Sequence, residues 1–143
     1  MQRTAANYLT WRFRQYHKKG SLPGVTLAAP NSVLGLEPGE VAVATISLKN
    51  WNGTEPTDAT LVVTDQRVLR DGTELIRWAN VVRYHWIDRD ISRMGELKST
   101  RFQRIVLEAV EGTVTVLDGL GQAVFPLLSF LKWKGVAGGG RPA

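Results

Sequence analysis

Apolar and polar positions along this chain follow two different periods. In residues 4–19, at 100° per residue, Ala5, Tyr8, Leu9, Phe13 and Tyr16 fall on one broad face, and Arg3, Arg14, His17 and Lys18 fall opposite. That spacing predicts a helix closed by Gly20, with Arg12 interrupting the apolar face. Pro23, Pro30 and Pro38 make residues 21–38 an irregular connector. From Glu40 onward the period shortens to two. Val41–Leu48 is a β-rich run, and 49–58 is a polar loop with Gly and Pro. Ala59–Thr64 and Arg67–Arg70 flank Thr64-Asp65-Gln66, and Thr73–Trp78 follows a tight Asp71-Gly72 turn. Val81–Ile87 places Val82, Tyr84 and Trp86 on one face, with Arg83 and His85 on the other. Phe102–Val110 alternates Ile105, Leu107 and Ala109 against Arg104, Val106 and Glu108, and Glu111-Gly112 turns into Thr113–Asp118. These make about seven short strands, most of them antiparallel.

Residues 121–135 return to helical spacing. Val124, Leu127, Leu128 and Leu131 are joined by Phe125 and Phe130, and Pro126 is acceptable in a first turn. Lys132 and Lys134 suit the negative end of the helix dipole, and Gly135 stops the helix. Residues 135–143 read as a flexible tail. A helix apolar over most of its surface must be buried. Plugging the open end of a small antiparallel barrel or sandwich achieves that. The expected class is mainly β (α+β): a seven-stranded antiparallel barrel or sandwich capped by a C-terminal helix, with an extra N-terminal helix.

Specific residues sharpen this. "LEPGEVAVATISL", then "ATLVVTDQRVL", then "ELIRWANVV" resemble the bacterial PH-like and GRAM-like domains of the pleckstrin-homology superfold. The resemblance falls on Leu36, Pro38, Gly39 and Glu40, on Thr64, Asp65, Arg67 and Val68, and on Trp78, Asn80 and Val81. It covers roughly residues 36–134 and implies a PH-like domain there, preceded by a basic helix at 1–20 and a connector at 21–35. Thr64, Asp65 and Arg67 read first as a structural turn: the short polar side chains bond nearby backbone, and Arg67 bonds the turn carbonyls or pairs with Asp65. A ligand-binding role for Arg67 is the alternative.

A length of 143 residues suits one domain with a sizeable core. The absence of cysteine removes disulfides and thiolate metal sites. No apolar run reaches the ~20 residues of a membrane-spanning helix. The polar N-terminus does not read as a secretory signal, so the expected location is cytoplasmic, with peripheral membrane contact as an option. Asn52-Gly53-Thr54 matches a glycosylation acceptor but reads as loop. The net charge is +5, and its placement matters more than its size. Residues 1–20 carry Arg3, Arg12, Arg14, Lys18 and Lys19 with no acid, and the rest of the chain is balanced. An arm of that kind suits a polyanionic partner.

The residues supply no catalytic constellation. His17 and His85 lack metal spacing, and "DGLGQAV" lacks the Lys-Ser/Thr of a phosphate loop. Asp88 and Asp90 are interleaved with Arg89 and Arg93, a self-paired loop. The expectation is therefore a non-enzyme with no metal and no cofactor. Two basic groups are candidates for binding. One is Arg3, Trp11, Arg12, Arg14, Lys18 and Lys19 on the first helix; the other is a secondary patch of Arg89, Arg93, Lys98, Arg101 and Arg104. The resemblance does not carry phosphoinositide binding over, because the first hairpin offers only Lys49 beside Trp51, with Glu55 and Asp58 as acids. The first functional reading is a non-catalytic module for protein–protein contact or self-association. The second is a peripheral membrane or polyanion binder through the basic helix. Nucleic acid ranks behind both, because no basic, aromatic-studded sheet face is evident.

Overall fold

The computed structural model describes residues 4–18, 25–27, 35–51, 56–88, 104–117 and 120–142. The first helix, α1, runs Ala5–Lys18. Thr4 caps it: its Oγ1 accepts the Asn7 N–H at 3.1 Å, and its carbonyl accepts the Tyr8 N–H at 2.9 Å. Leu9 and Phe13 are completely buried, and Ala5, Tyr8 and Tyr16 pack beside them. The apolar face read from the sequence is therefore a core face.

Nine strands are described, in two sheets. Strands β1 (Val25–Leu27), β2 (Ala42–Trp51), β3 (Pro56–Thr64), β4 (Arg67–Arg70) and β5 (Thr73–Arg77) form an antiparallel sheet in sequential order. Strands β6 (Val81–Asp88), β7 (Arg104–Ala109), β8 (Val114–Leu117) and β9 (Ala137–Pro142) form a second sheet in the order β8-β7-β6-β9. The molecule is thus mainly β with two helices, as its pattern implies, but the described strands do not close into a barrel.

Four boundaries differ from expectation. Strand β1 lies inside the proline-flanked connector; three residues, Val-Thr-Leu, are too few to show a period. The loop expected at 49–58 is mostly ladder, because Lys49↔Asp58, Asn50↔Thr57 and Trp51↔Pro56 continue the β2–β3 pairing. A backbone ladder does not need apolar side chains, so a polar segment can pair. Strand β9 occupies the segment expected as a tail and runs parallel to β6, from Arg83↔Ala137 to Asp88↔Pro142. Its glycines hide it, since glycine is depleted in strands. At Gly138 that residue type is required: a Cβ there would lie 2.4 Å from Tyr84 Cδ1 and 2.5 Å from the Tyr84 carbonyl. Lastly, the β6–β7 register shifts between Val81 and Arg83. This bulge turns Val81 inward and leaves Val82 exposed, so Val82 does not share the inner face of Tyr84 and Trp86.

The second helix, α2 (Val124–Trp133), follows a 3-10 turn at Gly121–Ala123. Pro126 falls in the first turn, where its missing N–H costs no intrahelical bond. The Gly135 N–H bonds the Lys132 carbonyl and the Val136 N–H bonds the Leu131 carbonyl, closing the helix in a Schellman-type cap. Helix α2 buries Val124, Pro126, Leu127, Phe130 and Leu131 in a core shared by both sheets and by α1. Phe130 meets Trp78 edge-to-face at 5.2 Å, and Tyr8 of α1 stacks on Trp133 at 4.6 Å. One apolar cluster therefore ties the two helices to both sheets.

Candidate functional site

The residues singled out in the sequence separate into one interior unit and two outward surfaces. The interior unit begins at Glu37-Pro38-Gly39-Glu40. Proline fixes φ at the second position, and Gly39 takes φ +78°, which lets the Glu40 N–H reach the Glu37 carbonyl at 3.0 Å. This turn aims the Glu40 carboxylate at the β3–β4 hairpin. Arg67 grips it with two bonds, Nε to Oε2 at 2.9 Å and Nη2 to Oε1 at 3.0 Å. Thr64 donates its hydroxyl to Glu40 Oε2 at 2.6 Å, and the Thr64 Oγ1 itself accepts the N–H groups of Gln66 and Arg67. The Glu40 side chain is wholly buried.

Arg67 continues to Glu74 Oε1 at 3.0 Å and to the Gly35 carbonyl at 3.2 Å. Glu74 also meets Arg77 at 3.0 Å, and Arg77 pairs with both oxygens of Glu37. A chain of alternating charge, Glu40–Arg67–Glu74–Arg77–Glu37, thus binds the entry turn to the β4–β5 hairpin. Burial pushes the Glu40 carboxyl upward in pKa. Hydrogen bonds from Arg67, Thr64 and the Glu37 N–H outweigh it and hold the group below the ordinary carboxylate range. The bond from Arg77 lowers Glu37. The bond to Glu40 raises Arg67, so its charge is fixed at all ordinary pH.

The structural reading of Thr64, Asp65 and Arg67 fits this geometry, but the partners differ from those expected. Asp65 accepts the Val41 N–H at 2.8 Å and donates its own N–H to the Val41 carbonyl at 3.0 Å. Arg67 pairs with Glu40, 27 residues upstream, rather than with Asp65. A carboxylate ending a Pro-Gly turn was the available signal: an arginine inside a strand run needs a buried anion, and Glu40 was the acid closing the same motif.

The first outward surface is the far side of α1. Arg14 and Lys18 are exposed, Trp11 is 37% exposed, and with Asn7, Thr10 and Gln15 they border a shallow recess of about 330 Å³. Arg12 does not belong to this surface. It bonds Gln15 Oε1 at 2.9 Å and Ser129 Oγ at 3.2 Å, and its guanidinium lies 4.9 Å from the Trp11 ring. It breaks the apolar face because it clamps α1 to α2. Arg3 and Lys19 lie outside the described residues, as do Arg89, Arg93, Lys98 and Arg101 of the secondary patch. Arg104 opens β7 opposite Ile87 and is half-buried.

The second outward surface, missed in the sequence, is the solvent face of the second sheet. Register aligns Val116, Val106 and His85 across β8, β7 and β6, and aligns Val114, Glu108 and Arg83 in the neighbouring row. Glu108 lies 3.6 Å from Arg83 and 3.7 Å from His85. Val82, Val114 and Val116 are exposed around these charges, and Val110, in the turn just past β7, is exposed as well. The signal was present in the alternation of β7 and β8, but a valine in a strand gives no hint of which face it serves.

Among the described residues no cluster of three His, Asp or Glu side chains could hold a metal ion, and no helix is long and apolar enough to cross a membrane. The chain matches no protein-family model and no curated protein at a significant level.

Proposed function

We propose that this chain is a non-catalytic binding or assembly module of PH-like layout that acts through protein–protein contact or self-association. The observation that carries it is the solvent face of the second sheet. Val82, Val114 and Val116 are between 48% and 55% exposed on a body whose other large apolar residues are mostly buried in one core. Exposed apolar side chains gathered on one sheet face mark a contact site more readily than valines scattered singly.

The finer, PH-like reading is supported by the order of elements. Sequential antiparallel hairpins are followed by a second small sheet and then by an apolar helix sunk into the core. It is supported further by Glu40, Thr64 and Arg67, three of the residues that carry the resemblance, which form one bonded unit. The reading is tested by light scattering on the purified chain, together with affinity capture from cells producing a tagged copy. A strict monomer at high concentration that captures no partner overturns it.

A second reading, a polyanion or anionic-membrane binder, has its own support in α1. The apolar face of that helix is spent on the core, so contact with lipid would be electrostatic, through Arg14 and Lys18, with Trp11 at the interface. Deleting residues 1–20 does not test this, because it removes Leu9 and Phe13 from the core. Arg14→Ala with Lys18→Ala does: sedimentation with anionic vesicles should fall while the fold persists. Binding that is unchanged in the double variant refutes this reading. Nucleic acid, the third candidate, would show steep loss of binding with salt.

A further inference from the structure

We infer that the two helices together form a face that docks on an anionic phospholipid bilayer. The inference rests on the polyanion and membrane reading of α1; it extends that surface onto α2 and names the partner. No acid precedes Glu37 or follows Asp118 in the sequence. Those two flanking stretches carry eight of the eighteen basic residues, whereas the stretch between them sets ten bases against all thirteen acids. Each flank contributes one helix, and the fold packs the two together. Tyr8 of α1 stacks on Trp133 of α2 at 4.6 Å, and Arg12 of α1 reaches Ser129 Oγ of α2 at 3.2 Å. Cations far apart in the sequence thus meet on one acid-free pair of helices.

The aromatic residues of this face are continuous with the basic ones. Lys134 places its Nζ 5.7 Å from the Phe130 ring, and Phe130 lies against Trp133 at 5.9 Å. Contacts run on from Trp133 to Tyr8, and from Tyr8 edge-on to Trp11 at 5.7 Å. Trp11 in turn borders the recess with Arg14 and Lys18. Trp133 and Trp11 are 41% and 37% exposed. Partly exposed indoles among lysines and arginines suit the headgroup level of a membrane, with the ring in the interface and the cations on anionic lipid. Leu9, Phe13 and Phe130 stay in the core, so the contact is shallow, two indoles amid charge and not an inserted helix. A single-stranded nucleic acid would stack its bases on ring faces. Here Trp133 gives a face to Tyr8, and the Arg12 guanidinium lies 4.9 Å from the Trp11 ring. An acidic peptide would answer the charges alone and leave the joined indoles unused.

The test is co-sedimentation of the full chain with phosphatidylcholine vesicles, with and without phosphatidylserine. Three variants accompany wild type: Trp133→Ala, Lys132→Ala with Lys134→Ala, and Arg14→Ala with Lys18→Ala, each verified by circular dichroism. Wild type should bind only the vesicles containing phosphatidylserine, and less as salt rises. Each paired charge variant should bind roughly 25-fold more weakly, about fivefold for each cation removed. Trp133→Ala should lose about fivefold, from the indole area no longer withdrawn from water. Chain-brominated phosphatidylcholine in the same vesicles should quench wild-type tryptophan fluorescence, and quench Trp133→Ala less. The lysine pair and the wild-type quenching decide the matter if Trp133→Ala does not fold. The inference is overturned if Trp133→Ala or the lysine pair binds like wild type, or if bound wild type is not quenched. A loss confined to Arg14 and Lys18 then leaves the reading of α1 standing. It is also overturned if wild type ignores phosphatidylserine vesicles. Binding of polyglutamate or of a poly(dT) strand would in that case preserve the polyanion reading, and binding of neither ends both.

Discussion

Replacing Arg67 with methionine is the sharpest test of how this fold is held together. The substitution keeps a comparable stem and removes the guanidinium. Four bonds go with it: two to Glu40, one to Glu74 and one to the Gly35 carbonyl. Glu40, whose side chain is wholly buried, keeps only the Thr64 hydroxyl and the Glu37 N–H. Removing one partner of a buried pair leaves an uncompensated charge and costs about 3–5 kcal/mol. For a domain whose total stability is roughly 5–15 kcal/mol, that is a large fraction. The urea midpoint, followed by far-ultraviolet circular dichroism, should fall accordingly at unchanged slope. The double variant Arg67→Met with Glu40→Met should recover much of the loss, since an apolar pair of similar volume replaces the ions. A coupling near zero in that cycle, or a loss below about 1 kcal/mol for Arg67→Met alone, would refute the claim that this pair is the buried clasp of the entry turn.

The other expectations are quickly stated. Glu40 and Glu37 are both held below their ordinary pKa, so the stability they contribute is fully present above the unfolded carboxylate value of ~4.3 and is lost as pH falls through their lower folded values. Urea titrations from neutral to strongly acid pH should show this limb, and Glu40→Gln should flatten it. Phe130→Ala should cost about 3–5 kcal/mol in the same assay, because it opens a cavity between Trp78, Tyr8 and Trp133. Gly138→Val should unseat β9, since its Cβ would overlap the Tyr84 ring and carbonyl. Amide exchange along β6 should rise, and unchanged protection there would argue against the parallel pairing.

How much of this could be read from the chain depended on the range of the interaction involved. The β3–β4–β5 hairpins were legible because their turns are local. Asp71 and Gly72 both adopt positive φ, as an Asp-Gly pair in a two-residue hairpin turn should. Helix α2 was legible because its apolar residues outnumber what one face needs. Strand β9 was not, since nothing in Ala-Gly-Gly-Gly shows that a tyrosine 54 positions earlier lies across it. The bulge at Val81–Arg83 was equally silent, and it alone decides that Val82 faces water.

The candidate sites divide along the same line. Charge density drew attention to α1, yet of the described basic residues singled out there the recess is bordered by Arg14 and Lys18 and not by Arg12. Arg12 was misplaced because a guanidinium on an apolar face reads as a flaw until Ser129, 117 residues away, is seen beside it. A long side chain with a charged tip can cross an interface between helices and pack its stem; Arg12 places both terminal nitrogens on polar partners while its buried Nε finds none. The valine face, by contrast, carries almost no signal in composition, because β-branched residues suit either side of a strand. Only register, which aligns Val116 with Val106 and sets Glu108 beside Arg83, turns scattered residues into a surface. The feature with the most to say about function is therefore the one that local sequence encodes least. It exists only after three strands have paired, so a substitution on that face, such as Val114→Lys, probes it more directly than any deletion of the basic helix.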